Sequence, residues 1–475
     1  MKKFFAPASI AVYGCSLSPG NLGGFILGNL KELGFKGEVY GVGREACHIH
    51  EYPVYRSLRE IPGRVDLVTI VTPSRTVADI FRDCGELGVK RVAVITSGFN
   101  ELGGEGLRLS DEMLALAEEY GIMFIGPNCQ GLIDFHTGVC LSYGPLKQNQ
   151  IEKGKISIIS QSGSVGWVLS FILSHEIDGL SKVISIGNKL SVDEIQLAEY
   201  LIEDSRTDII LLYLESLSDG RRLCELATQT EKPFIILKSN RGSGSDLALS
   251  HTAALASDDR IVDAAFRQAG IVRAQTFSEL VDWAKALSGG PLRGPNVIAM
   301  SVSGGMALMS EDACQKSDLN LIEIPSEIKD KLWEIGHPKI INYTNPIDLG
   351  NVFSYRAILD ILRLVLSRDE VDGVILSMFN LGREFHGELE AKEAIALAYE
   401  EGKKINKPVA ISMITDPGSI YDFKRDADFP IYDSIEDAAE SLRKNLKYGS
   451  LKFRIRKPTS EKVTCRSINR ALEII

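Results

Sequence analysis

The chain has 475 residues, 44% of them hydrophobic and 24% charged, and a mean hydropathy of +0.02. At roughly 150 residues per domain, this length predicts about three domains. The composition excludes both a disordered chain and a multi-span membrane protein. A net charge of −10 argues against general nucleic-acid binding, so any anionic ligand must be held locally, by loops and helix ends.

The eight cysteines are dispersed singly along the chain. This spacing predicts a reducing, cytoplasmic setting rather than a disulfide framework. A long uncharged run, residues 156–174, is too rich in serine for a membrane span, and no such span is expected. Cys47, His48 and His50 place three candidate ligands within four positions, without a distant pair to complete a site. We therefore expect a surface loop there and no metal site.

The first third of the sequence alternates short apolar runs with stretches long enough for crossover helices. This rhythm predicts a doubly wound, Rossmann-like parallel sheet that binds ligands at the carboxyl ends of its strands. We place this domain at residues 1–148. Its predicted strands are Ser9–Tyr13, Glu38–Val42, Leu67–Val71, Arg91–Ile95 and Met123–Ile125.

The same alternation restarts twice, which predicts two further α/β domains, at residues 149–290 and 291–450. From Leu451 onward the chain is basic and lacks apolar periodicity. Residues 451–475 are expected to form either a solvated tail or a linker that docks a partner. The predicted strands of the two domains are 155–159, 182–186, 209–214, 233–237, 296–300, 371–376 and 408–412.

A glycine-rich segment, Gly14–Gly24, follows the first strand and opens a helix, where backbone N–H groups would face a pyrophosphate. Its spacing differs from the Gly-x-Gly-x-x-Gly fingerprint. The second strand ends in Gly43-Arg44-Glu45 rather than in the acidic residue typical of NAD sites. Arg44 favours a ribose phosphate, which both CoA and NADP carry; a tight turn without ligand is the alternative.

Ser160–Gly166 lies between a predicted strand and a predicted helix. Its small residues Ser162, Gly163 and Ser164 are typical of an anion site at a helix start, and ordinary serine capping has the same pattern.

His251 follows a Gly/Ser-rich loop at a predicted helix start, where a phosphoryl group on the ring would be stabilised. A histidine nucleophile needs its other ring nitrogen held, usually by a carboxylate or a carbonyl. Glu215, which ends the apolar run Ile209–Leu214, is the candidate carboxylate. A solvated charge at a strand end is the alternative.

Up to residue 450 the chain resembles the α subunits of ADP-forming (NDP-forming) acyl-CoA synthetases, relatives of the succinyl-CoA synthetase α subunit. This resemblance implies an N-terminal Rossmann-like CoA-binding domain followed by two flavodoxin-like domains, the first of which carries a phosphohistidine. The six matching motifs are Gly126-Pro127-Asn128-Cys129, Gln161-Ser162-Gly163, Ser185-Ile186-Gly187-Asn188-Lys189, Tyr213-Leu214-Glu215, Ser250-His251-Thr252 and Asn345-Pro346-Ile347-Asp348.

The resemblance also implies roles for individual residues. His251 would be the phosphorylated nucleophile and Glu215 its orienting carboxylate, while Ser162–Ser164 would hold the phosphoryl group. Arg44 is a candidate CoA contact from the residues themselves. The resemblance implies the further CoA contacts Gly14, Ser16, Gly20, Gly23, Val71, Thr72, Pro73 and Asn128.

The implied reaction interconverts acyl-CoA, phosphate and ADP with a small carboxylic acid, CoA and ATP, through an acyl phosphate and a phosphohistidine. The sequence contains no Gly-x-x-x-x-Gly-Lys-Ser/Thr nucleotide loop. A separate ATP-grasp β subunit is therefore implied, which would bind ATP or ADP with Mg²⁺ in an assembly of two α and two β subunits. Neither a nucleic acid nor a membrane is an expected partner.

One departure from the family pattern keeps alternatives open. Ala253 follows Ser250-His251-Thr252 where the family usually has glycine, and a methyl group there would interfere with a positive φ or a close approach to the phosphoryl group. A second hypothesis is therefore a regulatory protein of the same fold that binds CoA or acyl-CoA but is impaired in catalysis. A third, motivated by Arg44 and the Rossmann-like first domain, is an NADP-linked oxidoreductase.

Overall fold

The computed structural model describes residues 1–144, 153–177, 179–240, 259–335, 344–350, 352, 354–380 and 390–456. These residues fall into two compact units. Residues within Met1–Ile172 and Gly179–Leu280 form the first unit, and residues within Leu173–Asp178 and Val281–Ser460 form the second. Of the described strands, the first unit holds two sheets and the second unit holds one.

The first sheet consists of β1 (Ser9–Tyr13), β2 (Glu38–Val42), β3 (Cys47–Ile49), β4 (Tyr52–Tyr55), β5 (Leu67–Ile70), β6 (Arg91–Val94) and β7 (Met123–Ile125). The strand order is β3-β4-β2-β1-β5-β6-β7, and all neighbours are parallel except β3 and β4. Every residue of the central strand β1 is buried, as expected for a parallel sheet covered on both faces.

The helices that accompany this sheet are α1 (Lys2–Phe5), α2 (Leu22–Glu32), α3 (Val77–Glu86) and α4 (Gly104–Tyr120). Helix α3 shows why its segment is helical, because its buried residues Val77, Ile80, Phe81 and Cys84 recur at the helical spacing. Helix α4 ends at Gly121, whose φ of 61° gives the left-handed conformation that commonly stops a helix.

The second sheet consists of β8 (Leu132–Asp134), β9 (Val139–Cys140), β10 (Lys153–Ser160), β11 (Leu180–Ser185), β12 (Ile209–Leu214), β13 (Phe234–Lys238) and β14 (Val272–Ala274). The order is β14-β13-β12-β10-β11-β8-β9, parallel except at β8 and β9. Strands β8 and β9 belong to this sheet although they precede residue 148, the expected end of the first domain. The accompanying helices are α5 (Gly163–Leu173), α6 (Glu194–Glu203), α7 (Gly220–Thr228) and α8 (Asp259–Ala269), and helix α9 (Phe277–Ser288) follows β14 in the chain.

The third sheet consists of β15 (Asn296–Ser301), β16 (Asn320–Leu321), β17 (Ile347–Asp348), β18 (Gly373–Phe379), β19 (Val409–Ile414) and β20 (Ile431–Tyr432). It is parallel, in the order β16-β15-β18-β19-β20, and β17 also pairs with β15. The accompanying helices are α10 (Gly304–Lys316), α11 (Ser326–Ile335), α12 (Tyr355–Leu366), α13 (Ala391–Ile405), α14 (Pro417–Arg425) and α15 (Ile435–Arg456). Helix α15 runs past residue 450, into the segment expected as a tail.

The architecture confirms the predicted α/β class with parallel sheets. The domain bounds taken from the sequence stay predictions, since neither the sheets nor the two compact units mark a break at those residues. Across the described residues, no helix combines the length and the apolar character needed to cross a membrane.

Candidate active site

A cavity of about 920 Å³ opens at the carboxyl ends of β1, β2 and β5, which is where doubly wound sheets bind their ligands. Of the residues predicted to contact CoA, it is lined by Gly14, Ser16, Arg44 and the segment Val71–Pro73. We call it the larger cavity.

The loop between β1 and α2 is shaped by one side chain, that of Asn21. Its Oδ1 accepts hydrogen bonds from the backbone N–H of Ser16 (3.1 Å) and Gly24 (2.8 Å), and its Nδ2 donates to the carbonyl of Gly14 (2.8 Å). Gly14 has a φ of +99°, and a Cβ there would lie 2.9 Å from Cγ2 of Val71. Glycine is therefore required at position 14 both by conformation and by space.

Two of the predicted CoA contacts lie in this loop region without lining the larger cavity. Gly20 has a φ of +76°, and no atom lies within 4 Å of the position that a Cβ would take there. Gly23 is buried in α2, where a Cβ would lie 2.9 Å from the carbonyl oxygen of Gly14. Because Gly23 has no side chain, the helix can approach the loop closely, so this glycine has a structural role.

Two exposed arginines, Arg44 and Arg56, bring positive charge to the larger cavity. They follow neighbouring parallel strands, since Val42 of β2 pairs with Tyr55 of β4. Among the residues that the structure describes, neither arginine forms an ion pair. Sequence reasoning found Arg44 but missed Arg56, because the short strand β4 contains Pro53 and does not read as a strand.

The carboxylates that line the same cavity are largely neutralised. Asp79 pairs with Arg82 at 2.7 Å and Asp83 pairs with Arg59 at 2.8 Å, whereas Glu45 adds one further negative charge. The cavity wall is therefore mixed in sign, with its unpaired cations at the ends of β2 and β4. This arrangement suits a ligand that has both phosphate groups and neutral polar parts.

A second cavity of about 700 Å³, the smaller cavity, shares the wall Val71–Pro73 with the larger one. It is lined by Asn128, by Ser162–Ser164 and by Tyr143, among others. All of these residues belong to the first compact unit. The shared wall places the predicted CoA contacts and the predicted phosphoryl-binding residues along one continuous surface.

The N-terminus of α5 faces the smaller cavity through Ser162, Gly163 and Ser164. The hydroxyls of Ser162 and Ser164 lie 3.2 Å apart, and Ser160 donates to the carbonyl of Ser162. Hydroxyl donors at the start of an eleven-residue helix provide the hydrogen bonds and the dipole that favour an anion.

Asn128 links the two sheets of the first unit at this cavity. Its backbone N–H donates to Thr96 (2.9 Å), its φ is +57°, and its Nδ2 donates to Oδ1 of Asn188 at 3.2 Å. Asn188 in turn donates to Asn100 and Glu101 in the first sheet's loops. The Gly126–Cys129 and Ser185–Lys189 motifs therefore meet at the site.

Glu215 directly follows β12 and is half-buried. It lines neither cavity, but its backbone N–H donates to Oε1 of Gln161 (2.9 Å), as does that of Ser216 (3.1 Å). Gln161 immediately precedes Ser162, so the Glu215 segment is bonded to the start of the α5 site. His251, together with Ser250, Thr252 and Ala253, lies outside the described residues, and its pairing with Glu215 stays a prediction.

Two cysteines line these cavities without the properties of a nucleophile. Burial raises the pKa of Cys15, at the larger cavity, to about 12, and burial likewise raises the pKa of Cys129, at the smaller cavity, to about 12. Both side chains are therefore protonated thiols near neutral pH.

No three His, Cys, Asp or Glu side chains come together as metal ligands within the described part of the chain. Cys47 and His48 lie in strand β3, and His50 follows it. The expected surface loop is therefore a short antiparallel hairpin of β3 and β4.

Two family profiles match the chain: a CoA binding domain at residues 8–134 and a succinyl-CoA ligase like flavodoxin domain at residues 153–287. The chain is 33% identical over 462 residues to the α subunit of acetate–CoA ligase [ADP-forming] I of Pyrococcus furiosus, covering 95% of this chain and 98% of that one. It is 32% identical over 459 residues to acetate–CoA ligase [ADP-forming] II of Archaeoglobus fulgidus, covering 94% and 67%.

Among solved structures, the dinucleotide-forming acetyl-coenzyme A synthetase 1 of Ca. Korarchaeum cryptofilum, in complex with phosphate and ADP, matches with a TM-score of 0.83 and 28% identity. The match covers 97% of this chain and 99% of that one. The chain belongs to the ADP-forming acyl-CoA ligases, which are acid–thiol ligases. The fold class, the family and the enzyme class expected from the sequence motifs are thereby confirmed.

Proposed function

We propose that this chain is the α subunit of an ADP-forming acyl-CoA synthetase, acting through a phosphohistidine at His251. The observation that carries the proposal is the pair of cavities that share the wall Val71–Pro73. One has a glycine loop and two arginines for phosphates, and the other has a serine-lined helix start for a phosphoryl group. CoA would lie across the shared wall, with its nucleotide part in the larger cavity and its thioester end in the smaller one.

The proposed reaction begins when inorganic phosphate attacks the thioester carbonyl, which forms an acyl phosphate and releases CoA. The unprotonated ring nitrogen of His251 then attacks phosphorus, so that a P–N bond forms, a P–O bond breaks and the carboxylate leaves. Glu215 accepts the hydrogen bond of the other ring N–H and stabilises the charge on the ring. The α5 start would bind the phosphoryl oxygens, since phosphoryl transfer depends mainly on positioning and charge stabilisation.

The phosphoryl group would pass from His251 to ADP on a separate partner. The Pyrococcus relative is named as an α subunit, which supports a second kind of subunit. We propose an ATP-grasp β subunit that holds ADP or ATP with Mg²⁺, in an assembly of two α and two β subunits, and a small carboxylic acid as the acyl substrate. The cysteines of the described residues are free thiols, which supports a cytoplasmic setting.

The test is phosphorylation of the full chain by labelled inorganic phosphate with acetyl-CoA, and with longer acyl-CoAs in parallel. Wild type is expected to gain acid-labile, alkali-stable label on His251, located by mass spectrometry, whereas His251→Asn gains none. Label on another residue, or equal label in both proteins, would overturn the phosphohistidine mechanism.

A second candidate function rests on Ala253, which replaces the glycine usual in the family. A CoA-binding regulatory protein would bind CoA, measured by calorimetry, yet remain unlabelled with every acyl-CoA tried. Restored labelling in Ala253→Gly would then identify the methyl group as the cause. Labelling of wild type would exclude this candidate.

A further inference from the structure

A buried ion pair lies behind the segment that carries Glu215. Nζ of Lys189 lies 2.9 Å from Oε2 of Glu194, whose side chain is completely inaccessible to solvent. The same Nζ donates to the carbonyl oxygen of Ser216 at 2.9 Å. Glu194 accepts hydrogen bonds from both the backbone N–H and the hydroxyl of Ser218, the latter at 3.1 Å. Both members of the pair thus bond directly to residues 215–218, the catalytic segment.

The catalytic segment is also held by Gln161. Its Oε1 accepts the backbone N–H of Glu215 and Ser216, and Gln161 is itself buried. Gln161, Lys189 and Glu194 therefore all hold the same segment, chiefly through its backbone N–H and carbonyl groups. A network of this kind fixes the position of the backbone from which the Glu215 side chain extends.

Burying this ion pair costs free energy. Two charges are removed from water, and well-packed apolar side chains often stabilise a protein equally well. Lys189 also has a φ of +47°, which is uncommon for a residue other than glycine. Such conformations cluster at functional sites. A purely stabilising role would not require either feature.

We infer that the Lys189–Glu194 ion pair is a positioning device that fixes the backbone carrying Glu215, and thereby the carboxylate that is proposed to orient the histidine nucleophile. This inference rests on the proposed function. Lys189 and Glu194 line neither cavity, so they act through Glu215 rather than by touching the substrate. Sequence reasoning assigned no role to Glu194, because a carboxylate at a helix start is usually an ordinary favourable charge.

The test measures the rate of His251 labelling by labelled phosphate and acyl-CoA in the full chain. Glu194→Gln keeps the shape but removes the charge, and a misplaced catalytic group is expected to slow labelling by about 10-fold to 100-fold. KM for acyl-CoA is expected to stay near the wild-type value, because the two cavities are untouched. Lys189→Arg, which keeps the positive charge, is expected to retain most of the rate.

A double-mutant cycle distinguishes positioning from general stabilisation. If the pair acts through Glu215, Glu194→Gln adds no further loss in a Glu215→Gln background. The matched control is Lys182→Met, which breaks the buried ion pairs of Lys182 with Asp204 and Asp134 in the first unit; none of the bonds that Lys182 makes within the described residues reaches residues 215–218. It is expected to lower the melting temperature yet label at the wild-type rate.

Several results would overturn the inference. A wild-type labelling rate in Glu194→Gln would overturn it. It would also be overturned if Glu194→Gln slowed labelling in the Glu215→Gln background as much as it does in the wild-type background. If Glu194→Gln does not fold, Ser218→Ala removes only one hydrogen bond to Glu194 and is expected to slow labelling by a few-fold; an unchanged rate would count equally against the pair. Absence of label in wild type would instead remove the proposed function, and the inference with it.

Discussion

At the scale of single residues, Arg44 and Arg56 are the feature that favours a phosphate-bearing ligand in the larger cavity. The chain as a whole carries a net charge of −10, so long-range attraction does not bring anions to it. Two cations without ion-pair partners among the described residues, at the ends of adjacent strands, supply that attraction locally. A guanidinium also matches a phosphate with two parallel hydrogen bonds.

Arg44→Ala is expected to weaken CoA binding by about tenfold, equivalent to about 1.4 kcal/mol, and to weaken binding of 3′-dephospho-CoA much less. The reason is that the arginine would contact the ribose phosphate, which dephospho-CoA lacks. Calorimetric titration with both ligands measures the difference, and Arg108→Ala on the surface of α4 is the control. An equal loss for the two ligands would place Arg44 against another part of CoA.

The residues of the candidate site differ in how well the sequence predicts their positions. Gly14, Arg44 and Ser162–Ser164 follow long apolar strands, so their place at a sheet's carboxyl edge could be predicted. The roles of Gln161 and Glu194 could not be predicted, because they depend on which backbone groups these side chains contact in the folded protein. The position of His251 relative to Glu215 rests on resemblance alone.

At the scale of elements, helix α6 shows how a helix start next to the site is fixed. Oδ1 of Asp193 accepts hydrogen bonds from the backbone N–H of Ile195 (2.9 Å) and Gln196 (3.2 Å), and Oε1 of Gln196 in turn accepts one from the backbone N–H of Asp193 (2.8 Å). This reciprocal arrangement satisfies N–H groups that the helix itself leaves unpaired. It also sets where Glu194, the next residue, begins the first turn.

Asp193→Ala is expected to lower the free energy of unfolding by about 1 kcal/mol, the usual effect of losing such a cap. Urea-induced unfolding followed by circular dichroism measures this change. Asp111→Ala, at an exposed position in the middle of α4, is the control and is expected to change stability little. Equal stability of Asp193→Ala and wild type would show that other contacts fix the start of α6.

The strands likewise differ in whether the sequence predicts them. Strands of four or more buried apolar residues, such as β1 and β12, were predicted close to their observed bounds. Of the strands with two or three residues, β7 was predicted, but β8 and β9 were not, because they are too short to show a period. Their membership of the second sheet depends on pairing partners far along the chain, as between Ile133 and Val183.

At the scale of the whole molecule, stability in acid is linked to buried ion pairs. Asp204 is partly buried, which raises its pKa, but its hydrogen bonds to the Lys182 ammonium and to Thr207 outweigh burial, and the net pKa is lowered. A carboxylate whose pKa is lower in the folded state contributes stability above its unfolded pKa of about 3.9. That contribution is lost as the pH falls through the folded value.

Lys182→Met is therefore expected to be less stable than wild type near pH 7, with a smaller difference between the two proteins below about pH 4. Melting temperatures recorded from pH 7 to pH 2.5 measure the two curves. Lys155→Met, which breaks an exposed pair with Asp208, is the control and is expected to follow the wild-type curve. Parallel curves for Lys182→Met and wild type would refute the linkage to Asp204.

Length and the alternation of strands and helices predict three α/β domains, and the described residues form three sheets in two compact units. The sequence did not predict this grouping, since residues 173–178 belong to the second unit although Leu173 ends a helix whose other residues belong to the first. No local pattern marks such an assignment, because it arises from packing partners such as Lys285 and Lys424, which both pair with Glu176.

The segment Val71–Pro73 lines both cavities. Within the proposed function, a substitution there that admits a different acyl group would also change the binding of CoA, so the two properties would not evolve independently. Tyr143 and Ile95 face the smaller cavity alone. Within the proposed function, relatives that diverge in acyl preference while keeping the same carrier would accumulate their changes at positions of that kind and leave the tripeptide alone.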